Sequence, residues 1–169
     1  MRFNDADSII RKANRLVRLA GCHNADTIAK ELGITIIPVK FSSQKGVYKV
    51  IERNRYIFIK DNLDDIMRNI VILHEIGHDQ LHRGNETIFQ EFNIFDMQGD
   101  IMEYEANLFA AQILLPDDDI IDYIYQGYDA GHIARAMNSD INLVALKVGD
   151  LSRRGYAFRE LEHRNDFLK

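Results

Sequence analysis

The stretch LHEIGHDQLH, residues 73–82, constrains this chain more than any other part of its sequence. In an α-helix, residues four apart are separated by about 40° around the axis and about 6 Å along it. His74 and His78 therefore project from one face into one site, while Glu75 points to the side of that pair. In this HExxH arrangement two imidazoles bind a metal ion and the intervening glutamate acts on its water. The pattern predicts a metal site on a helix.

A polar helix with chance histidine spacing is the simpler alternative for the same stretch. Against it, the two histidines share their helical stripe with Met67, Ile70 and Leu81, which we expect to face the core. Imidazoles buried there without partners would be costly, and a bound metal would remove that cost. Gly77 costs a helix about 1 kcal/mol relative to alanine. Its presence therefore predicts that another backbone or side chain packs closely against it.

Composition limits what else the chain can be. With 169 residues, of which 46% are apolar, it is long enough for one compact domain and short for two. The net charge of −5 is spread along the chain, which disfavours binding to phosphate backbones or anionic membranes. No segment resembles a signal peptide or a membrane span, so we expect a cytoplasmic protein. Cys22 is the only cysteine, so imidazoles and carboxylates must hold any metal.

Hydrophobic periodicity predicts that helices come first, at residues 5–20 and 24–32, and that a small sheet follows. The sheet comprises a strand within GITIIPVKF and a hairpin whose strands are GVYKVI and RYIFIK, separated by ERN. A helix then runs from the start signal DNLDD to about Arg83 and carries the motif. RYIFIK is either an edge strand beside this helix, to which an extended peptide could add, or an internal strand.

The second half of the chain is predicted to be helical after a loop at 84–100. Helices are predicted for IMEYEANLFAAQILL, from the DDD triplet to near Gly127, and at about 129–138 and 142–153. The last two resemble a helix-turn-helix fragment, but two packed helices with an apolar interior need no DNA. Their basic side chains ahead of SRRG, Arg135 and Lys147, are few, so we do not expect direct nucleic-acid contact.

A hydrolytic metal needs a third protein ligand, and His82 is the first candidate to consider. It lies eight residues beyond His74, about 12 Å along a continuous helix, and cannot reach the same ion unless the helix breaks. We therefore expect His82 to lie behind a ligand or on the surface.

The segment DIMEYEANLFAAQILLP is a better source of the third ligand, because its near-complete apolarity predicts a buried helix with few polar residues. Glu103 and Asn107 lie four apart on one face, whereas Glu105 points almost the opposite way, with Gln112 seven residues on. Only one glutamate can face the metal helix. We favour Glu103, with Asn107 helping to orient the ligands, and expect Glu105 and Gln112 to form a solvent-exposed stripe. The alternative for Glu103 is a surface carboxylate.

These residues resemble the ImmA/IrrE metallopeptidases, whose members carry HExxH, often a further histidine, and later a Glu-x-x-small-Asn/Asp helix that runs into a Leu-Pro end. The matching stretches are HEIGHDQLH and EYEANLFAAQILLP, and the resemblance covers roughly residues 24–126, at the length of the stand-alone ImmA type. It implies an α+β fold, a minimal zincin-like core with a small N-terminal sheet and a helical C-terminal part. We expect one domain over residues 1–169, with the core at about 1–126 and a helical extension at about 127–169 on which a repressor could dock.

By motif match, the resemblance implies one Zn²⁺ per chain held by His74, His78 and Glu103, with Glu75 as the catalytic base. The implied substrate is a partner helix-turn-helix repressor, whose cleavage derepresses genes of a mobile element, a prophage or a stress response. The first 23 residues can form only one helix, so the partner would have to supply the DNA reading.

Three further points stay open at the level of sequence. Tyr104, His82 and His132 are candidates for the donor that stabilises charge on a tetrahedral intermediate, and we do not rank them. Two histidines and a carboxylate also suit non-haem iron(II), although the motif favours zinc. A regulatory module that contains a structural metal and sequesters a repressor without cutting it is the alternative of a different class. Such a module would have no need for Glu75 between the histidines.

Overall fold

The computed structural model describes residues 5–83 and 101–158, which form an α+β fold of seven helices and one three-stranded sheet. The helices are α1 (Ala6–Ala20), α2 (Ala25–Glu31), α3 (Asp65–Leu81), α4 (Ile101–Leu114), α5 (Asp117–Tyr125), α6 (Ala130–Ala136) and α7 (Ile141–Arg153), and the strands are β1 (Ile34–Val39), β2 (Gly46–Ile51) and β3 (Asn54–Lys60). The loop predicted at 84–100 lies outside the described residues. None of the described helices is both long and apolar enough to cross a membrane.

Short polar side chains begin five of the described helices, as their sequences favour. The capping residues are Asp5, Asn24, Asp64, Asp129 and Asp140, each of which accepts a hydrogen bond from a backbone N–H of the first turn. At α3, Oδ1 of Asp64 accepts from the N–H of Met67 at 2.8 Å. The start signal that the sequence predicts for the motif helix is thus confirmed.

The sheet has the strand order β1-β3-β2, with β3 parallel to β1 and antiparallel to β2. Glu52 and Arg53 form the turn between β2 and β3, both with positive φ (49° and 68°), which suits the twist of a two-residue hairpin. The segment RYIFIK lies in the central strand, so the interpretation of it as an edge strand is wrong. One edge of β3 pairs with β2 and the other pairs with β1, which is more distant in sequence. Local sequence patterns do not predict this second pairing.

Helices α3 and α4 lie at the centre of the molecule. Every residue from Ile70 to Asp79 is buried, because α3 packs against β2 and β3 as well as against α2 and α4. Met67 and Leu81 are partly buried against the same core, as their helical stripe predicts. Helix α4 contacts α1 and α7 in addition to α3, and its residues 105–113 are all buried. The motif therefore lies in the interior rather than on a polar surface helix.

The two helices that resemble a helix-turn-helix fragment are α6 and α7, which pack against each other. Ile133, Leu143 and Val144 between them are completely buried. Lys147, which the sequence offered as a basic residue that could approach phosphate, is also completely buried. Its interior position removes one of the few basic groups on which nucleic-acid binding could rest.

Candidate metal centre

His74, His78 and Glu103, the three predicted ligands, converge where α3 meets α4. The Nε2 atoms of the two histidines lie 2.9 Å apart. His74 Nε2 lies 3.3 Å from Glu103 Oε2, and His78 Nε2 lies 3.4 Å from Glu103 Oε1. Both histidines are buried and Glu103 is partly buried. The structure thus brings one nitrogen from each imidazole and the carboxylate oxygens of Glu103 to one point.

The backbones of α3 and α4 approach closely at Gly77, one residue before His78. A Cβ atom at Gly77 would lie 3.1 Å from the Cα of Ala106 and 3.2 Å from its carbonyl oxygen. The expectation that something packs against Gly77 is therefore confirmed, and the partner is the α4 backbone. This close approach lets a carboxylate on α4 reach imidazoles on α3.

The other ring nitrogens of the two histidines also have partners. His74 Nδ1 lies 2.8 Å from Asn107 Oδ1, which is where an orienting Asn107 was expected. His78 Nδ1 lies 3.0 Å from His82 Nδ1, and His82 Nε2 lies 2.9 Å from Glu105 Oε2. His82 is thus neither a surface residue nor a member of the converging group, because it sits behind His78. Burial is the largest influence on the pKa of His82 and lowers it, although the hydrogen bond to Glu105 acts in the opposite direction.

The predicted solvent stripe on α4 is wrong. Glu105 is 3% exposed and Gln112 is 4% exposed. Glu105 contacts His82, while Gln112 donates from Nε2 to Asn14 Oδ1 at 3.0 Å and accepts from Lys147. Helical periodicity gives the angle of a side chain but not the number of neighbours around the helix, and here α1, α3 and α7 surround α4. Sequence reasoning therefore missed the contact between Glu105 and His82.

Glu75 is completely buried, next to the first residue of strand β2. A Cβ atom at Gly46 would lie 2.5 Å from Val71 Cγ1 and 3.0 Å from Glu75 Oε1, so only glycine fits there. Sequence reasoning did not single out Gly46, and the only available signal was a glycine at the start of a strand. Strand β2 therefore begins against the side chain of the predicted catalytic base.

Tyr104 and His132, the other candidates for a charge-stabilising donor, have partners elsewhere. The hydroxyl of Tyr104 accepts a hydrogen bond from Nη2 of Arg153, whose guanidinium lies 5.5 Å from the centre of the tyrosine ring. His132 Nδ1 lies 2.8 Å from Asp129 Oδ2 at the start of α6. A role for either in charge stabilisation stays a prediction.

The converging groups fit a divalent cation. A tetrahedral zinc ion with bonds of about 2.0–2.1 Å holds its ligand atoms about 3.3 Å apart. The separations of 3.3 Å and 3.4 Å between the imidazole nitrogens and the two oxygens of Glu103 match that value. The two Nε2 atoms, at 2.9 Å, are closer together than in such a site and would have to move apart by about 0.4 Å around an ion. Two neutral imidazoles and one carboxylate form a common catalytic zinc site, which leaves further coordination positions open.

The fold is that of a small zincin-like α+β domain, and the converging residues are those expected of a metallopeptidase. The chain belongs to the family described as Peptidase_M78, IrrE N-terminal-like domain, whose family model matches residues 29–147. It is 36% identical over 140 residues to Uncharacterized immunity region protein 2 of Bacillus phage phi105, an alignment that covers 82% of this chain and 86% of that protein. It is 26% identical over 155 residues to Metallopeptidase ImmA of Bacillus subtilis (strain 168), covering 88% and 90% respectively. The expected ImmA/IrrE membership is confirmed, and the chain is a metallopeptidase of the ImmA type.

Proposed function

We propose that this protein is a zinc-dependent endopeptidase that cleaves a partner helix-turn-helix repressor and so derepresses genes of a mobile element, a prophage or a stress response. The observation that carries the proposal is the convergence of His74, His78 and Glu103 at the helix that also holds the buried Glu75. Ligands from two helices and a carboxylate beside them are what metal-assisted peptide hydrolysis requires.

In this function, His74, His78 and Glu103 would hold one Zn²⁺ per chain. When bound, zinc would supply Lewis-acid chemistry that polarises the scissile carbonyl and makes the attacking water more acidic. The oxygen of Asn107 accepts from His74 and keeps that ring oriented toward the ion. The closeness of α3 and α4 at Gly77 keeps all three ligands at a fixed separation.

Glu75 carries the proton in the proposed mechanism. It takes a proton from the attacking water and returns it to the amine nitrogen of the leaving peptide, so no net proton is consumed within the site. Its side chain is completely buried, which limits competing exchange with bulk solvent. Its position directly after His74 on α3 holds it next to the ligands.

Strand β2 is the surface that we assign to the substrate backbone. Among the described strands it pairs with β3 alone, so its other edge is open to a further strand. An extended peptide that adds to this edge gains main-chain hydrogen bonds without regard to its sequence. Because β2 begins at Gly46 against Glu75, a peptide on this edge would run past the catalytic base.

The names of the relatives support the biological setting. One relative is named an immunity region protein of a phage, which supports a role in a mobile element, and another is named Metallopeptidase ImmA, which supports peptidase activity. We infer that the enzyme acts in the cytoplasm, where a DNA-bound repressor is found.

We also infer that the whole chain acts as one domain. Its C-terminal helices, beyond about residue 127, form the docking surface for the repressor. The repressor itself supplies the contacts to DNA.

The test is cleavage of a repressor encoded beside the gene for this protein, measured together with metal content. Wild type is compared with Glu75→Gln, and Glu31→Gln at the exposed end of α2 is the matched control. All three proteins should bind one zinc per chain. Wild type and Glu31→Gln should cut at equal rates, whereas Glu75→Gln should lose about 10²–10⁴-fold in rate because it cannot accept a proton.

Each other outcome points to a different conclusion. If Glu75→Gln cuts as fast as Glu31→Gln, another group is the base and the mechanism above is wrong. If all three proteins bind zinc and the repressor but none cuts it, the protein sequesters the repressor and is not its peptidase.

A further inference from the structure

The neighbourhood of His78 contains a buried chain of polar groups that the proposed mechanism does not use. His78 Nδ1 lies 3.0 Å from His82 Nδ1, and His82 Nε2 lies 2.9 Å from Glu105 Oε2. The exposed fractions are 1% for His78, 6% for His82 and 3% for Glu105. This series of hydrogen-bonded side chains therefore starts at His78, a proposed metal ligand on α3. It continues through His82, directly after α3, and ends at Glu105 on α4.

The two close nitrogens of His78 and His82 restrict the protons between them. At 3.0 Å there is room for one hydrogen between the Nδ1 atoms, so one nitrogen donates and the other accepts. The contact between His82 and Glu105 decides which of the two Nδ1 atoms donates. An ionised carboxylate only accepts, so Nε2 of His82 must carry the hydrogen that points at Glu105.

A neutral imidazole carries one N–H, so the Nδ1 of His82 is left with a lone pair. It must accept, and the Nδ1 of His78 must donate to it. The Nε2 of His78 is then left with its lone pair, and this is the atom that faces Glu103 at 3.4 Å. The tautomer that a metal ligand needs is thus fixed by a carboxylate two residues beyond Glu103.

We propose that His82 and Glu105 are a positioning pair that sets the tautomer and orientation of His78 for metal binding. The pair touches neither substrate nor metal, and it acts through His78. This inference rests on the function proposed above, in which His78 binds the metal. On α4, Asn107 contacts His74 in the same manner, so each histidine ligand is oriented by a residue of the helix that supplies Glu103.

The end of α3 places His82 for this role. The last helical residue is Leu81, and His82 adopts φ −122° and ψ 13° while its N–H still donates to the His78 carbonyl at 3.0 Å. The rings of His78 and His82 lie 5.2 Å apart between centroids. Because the helix stops there, the His82 ring can turn toward α4 and reach Glu105.

The experiment compares wild type with Glu105→Leu and Glu105→Gln, and uses Gln112→Leu as the matched control. Gln112 is equally buried on α4 and is also hydrogen-bonded, but to Asn14 and Lys147 rather than to a histidine. Two readouts are independent of cleavage. The first is the tautomer of His78 in the metal-free protein, from ring ¹⁵N chemical shifts, and the second is the dissociation constant for zinc, from chelator competition.

In metal-free wild type, His78 should carry its proton on Nδ1. Glu105→Leu should give a mixture of tautomers and weaken zinc binding by about 10–100-fold. Glu105→Gln keeps an accepting oxygen, so it should retain the tautomer and lose less affinity; it also serves if Glu105→Leu fails to fold. Gln112→Leu should lower stability and change neither readout.

The proposal is overturned if His78 keeps a single tautomer in a folded Glu105→Leu variant whose zinc affinity equals that of Gln112→Leu. When only Glu105→Gln folds, the proposal is overturned if His78 of metal-free wild type carries its proton on Nε2, or if Glu105→Gln changes the tautomer of His78 without weakening zinc binding. Failure of the proposed function looks different. Wild type would then bind no zinc or cut no repressor, while the tautomers of the metal-free variants would still report on the pair.

Discussion

Among single residues, two helical glycines, Gly77 and Gly149, differ in how much space surrounds them. Gly77 lies against the backbone of Ala106, where an added Cβ would be 3.1 Å from Cα and 3.2 Å from the carbonyl oxygen. Gly149 lies on the exposed side of α7, where an added Cβ would meet nothing within 4 Å. Helix propensity favours alanine at both positions by about 1 kcal/mol, so the surroundings decide the outcome.

We expect Gly77→Ala to be destabilising by about 1 kcal/mol and Gly149→Ala to be stabilising by about 0.5–1 kcal/mol. At Gly77 the cost of overpacking, about 1–3 kcal/mol, exceeds the gain in helix propensity. The atoms that an added Cβ would meet belong to the backbone of Ala106, which cannot change rotamer as a side chain can. Gly77→Ala should also weaken zinc binding, because it separates the helices that carry the ligands. Urea unfolding and chelator competition measure both effects. Equal stabilisation by the two substitutions would show that the contact between α3 and α4 is looser than the structure indicates.

Among single residues, the sequence predicted Gly77 well and Glu105 badly. A glycine in a helix is costly wherever it stands, so its presence signals a close neighbour without any knowledge of the fold. A glutamate has no such local cost. Whether Glu105 meets water or His82 depends on which elements cover that side of α4, and the sequence around it does not contain this information.

At the scale of elements, Asp79 ties the motif helix to the sheet. Its side chain is completely buried on α3 and accepts from the Tyr48 hydroxyl of β2 at 2.5 Å. It also accepts from Arg55 of β3 at 3.1 Å and from Arg83 at 2.8 Å. Burial raises the pKa of Tyr48, and the hydrogen bond to Asp79 raises it further, which keeps the phenol protonated and donating.

Replacing Asp79 by asparagine should lower the free energy of unfolding by about 1–3 kcal/mol. The change removes a buried charge that several donors share, which costs more than the loss of an exposed ion pair. Asp26→Asn is the control, because Asp26 pairs with Arg68 at 2.7 Å while both side chains are partly exposed (49% and 34%). That control should cost less than about 1 kcal/mol. Equal losses in urea unfolding would mean that Asp79 does not anchor α3.

The order of the strands illustrates what local patterns leave out at this scale. Alternation and turn residues predicted the β2–β3 hairpin, and the structure contains it. They could not show that β1 pairs with β3 in parallel and makes it the central strand. That pairing joins segments that are distant in sequence, and its consequence is that β2, the strand beside Glu75, is one of the two edge strands of the described sheet.

At the scale of the whole molecule, a polar network joins the C-terminal helices to the core. Lys147 of α7 is completely buried and donates from Nζ to Gln112 of α4 and Asp117 of α5. Arg154, the capping residue directly after α7, donates to Asp117 at 2.7 Å. Burial alone would raise the pKa of Asp117, but the hydrogen bonds from Arg154 and Lys147 outweigh it and lower the pKa to about 2.

This network predicts a loss of stability in acid that depends on Asp117. Because its folded pKa of about 2 lies below the ordinary value of 3.8, ionised Asp117 stabilises the fold at higher pH. That contribution should disappear as the pH falls from about 4 toward about 2. In urea unfolding of the metal-free protein, Asp117→Asn should be less stable than wild type at about pH 6 and approach it at about pH 3. Asp118→Asn, at the exposed neighbouring residue, is the control and should have nearly the same free energy of unfolding as wild type at either pH. If the difference in free energy between wild type and Asp117→Asn does not change with pH, the lowered pKa of Asp117 is wrong.

Local sequence patterns were enough to predict the motif helix and the face that His74 and His78 share, because residues four apart in a helix lie on one side. The same patterns favoured Glu103 as the third converging residue. The family followed from the resemblance of HEIGHDQLH and EYEANLFAAQILLP to the motifs of known members. The sequence also determined the α+β character, because the periods of helices and strands are local properties.

The surroundings of the site depend on how distant parts of the chain pack together. The tertiary structure placed Glu105 and His82 behind His78, set the start of β2 against Glu75, and buried Lys147 between helices. Each of these depends on which distant segments cover a given face. Sequence periodicity fixes the direction of a side chain relative to its own helix or strand, whereas packing of the whole chain fixes what lies in that direction.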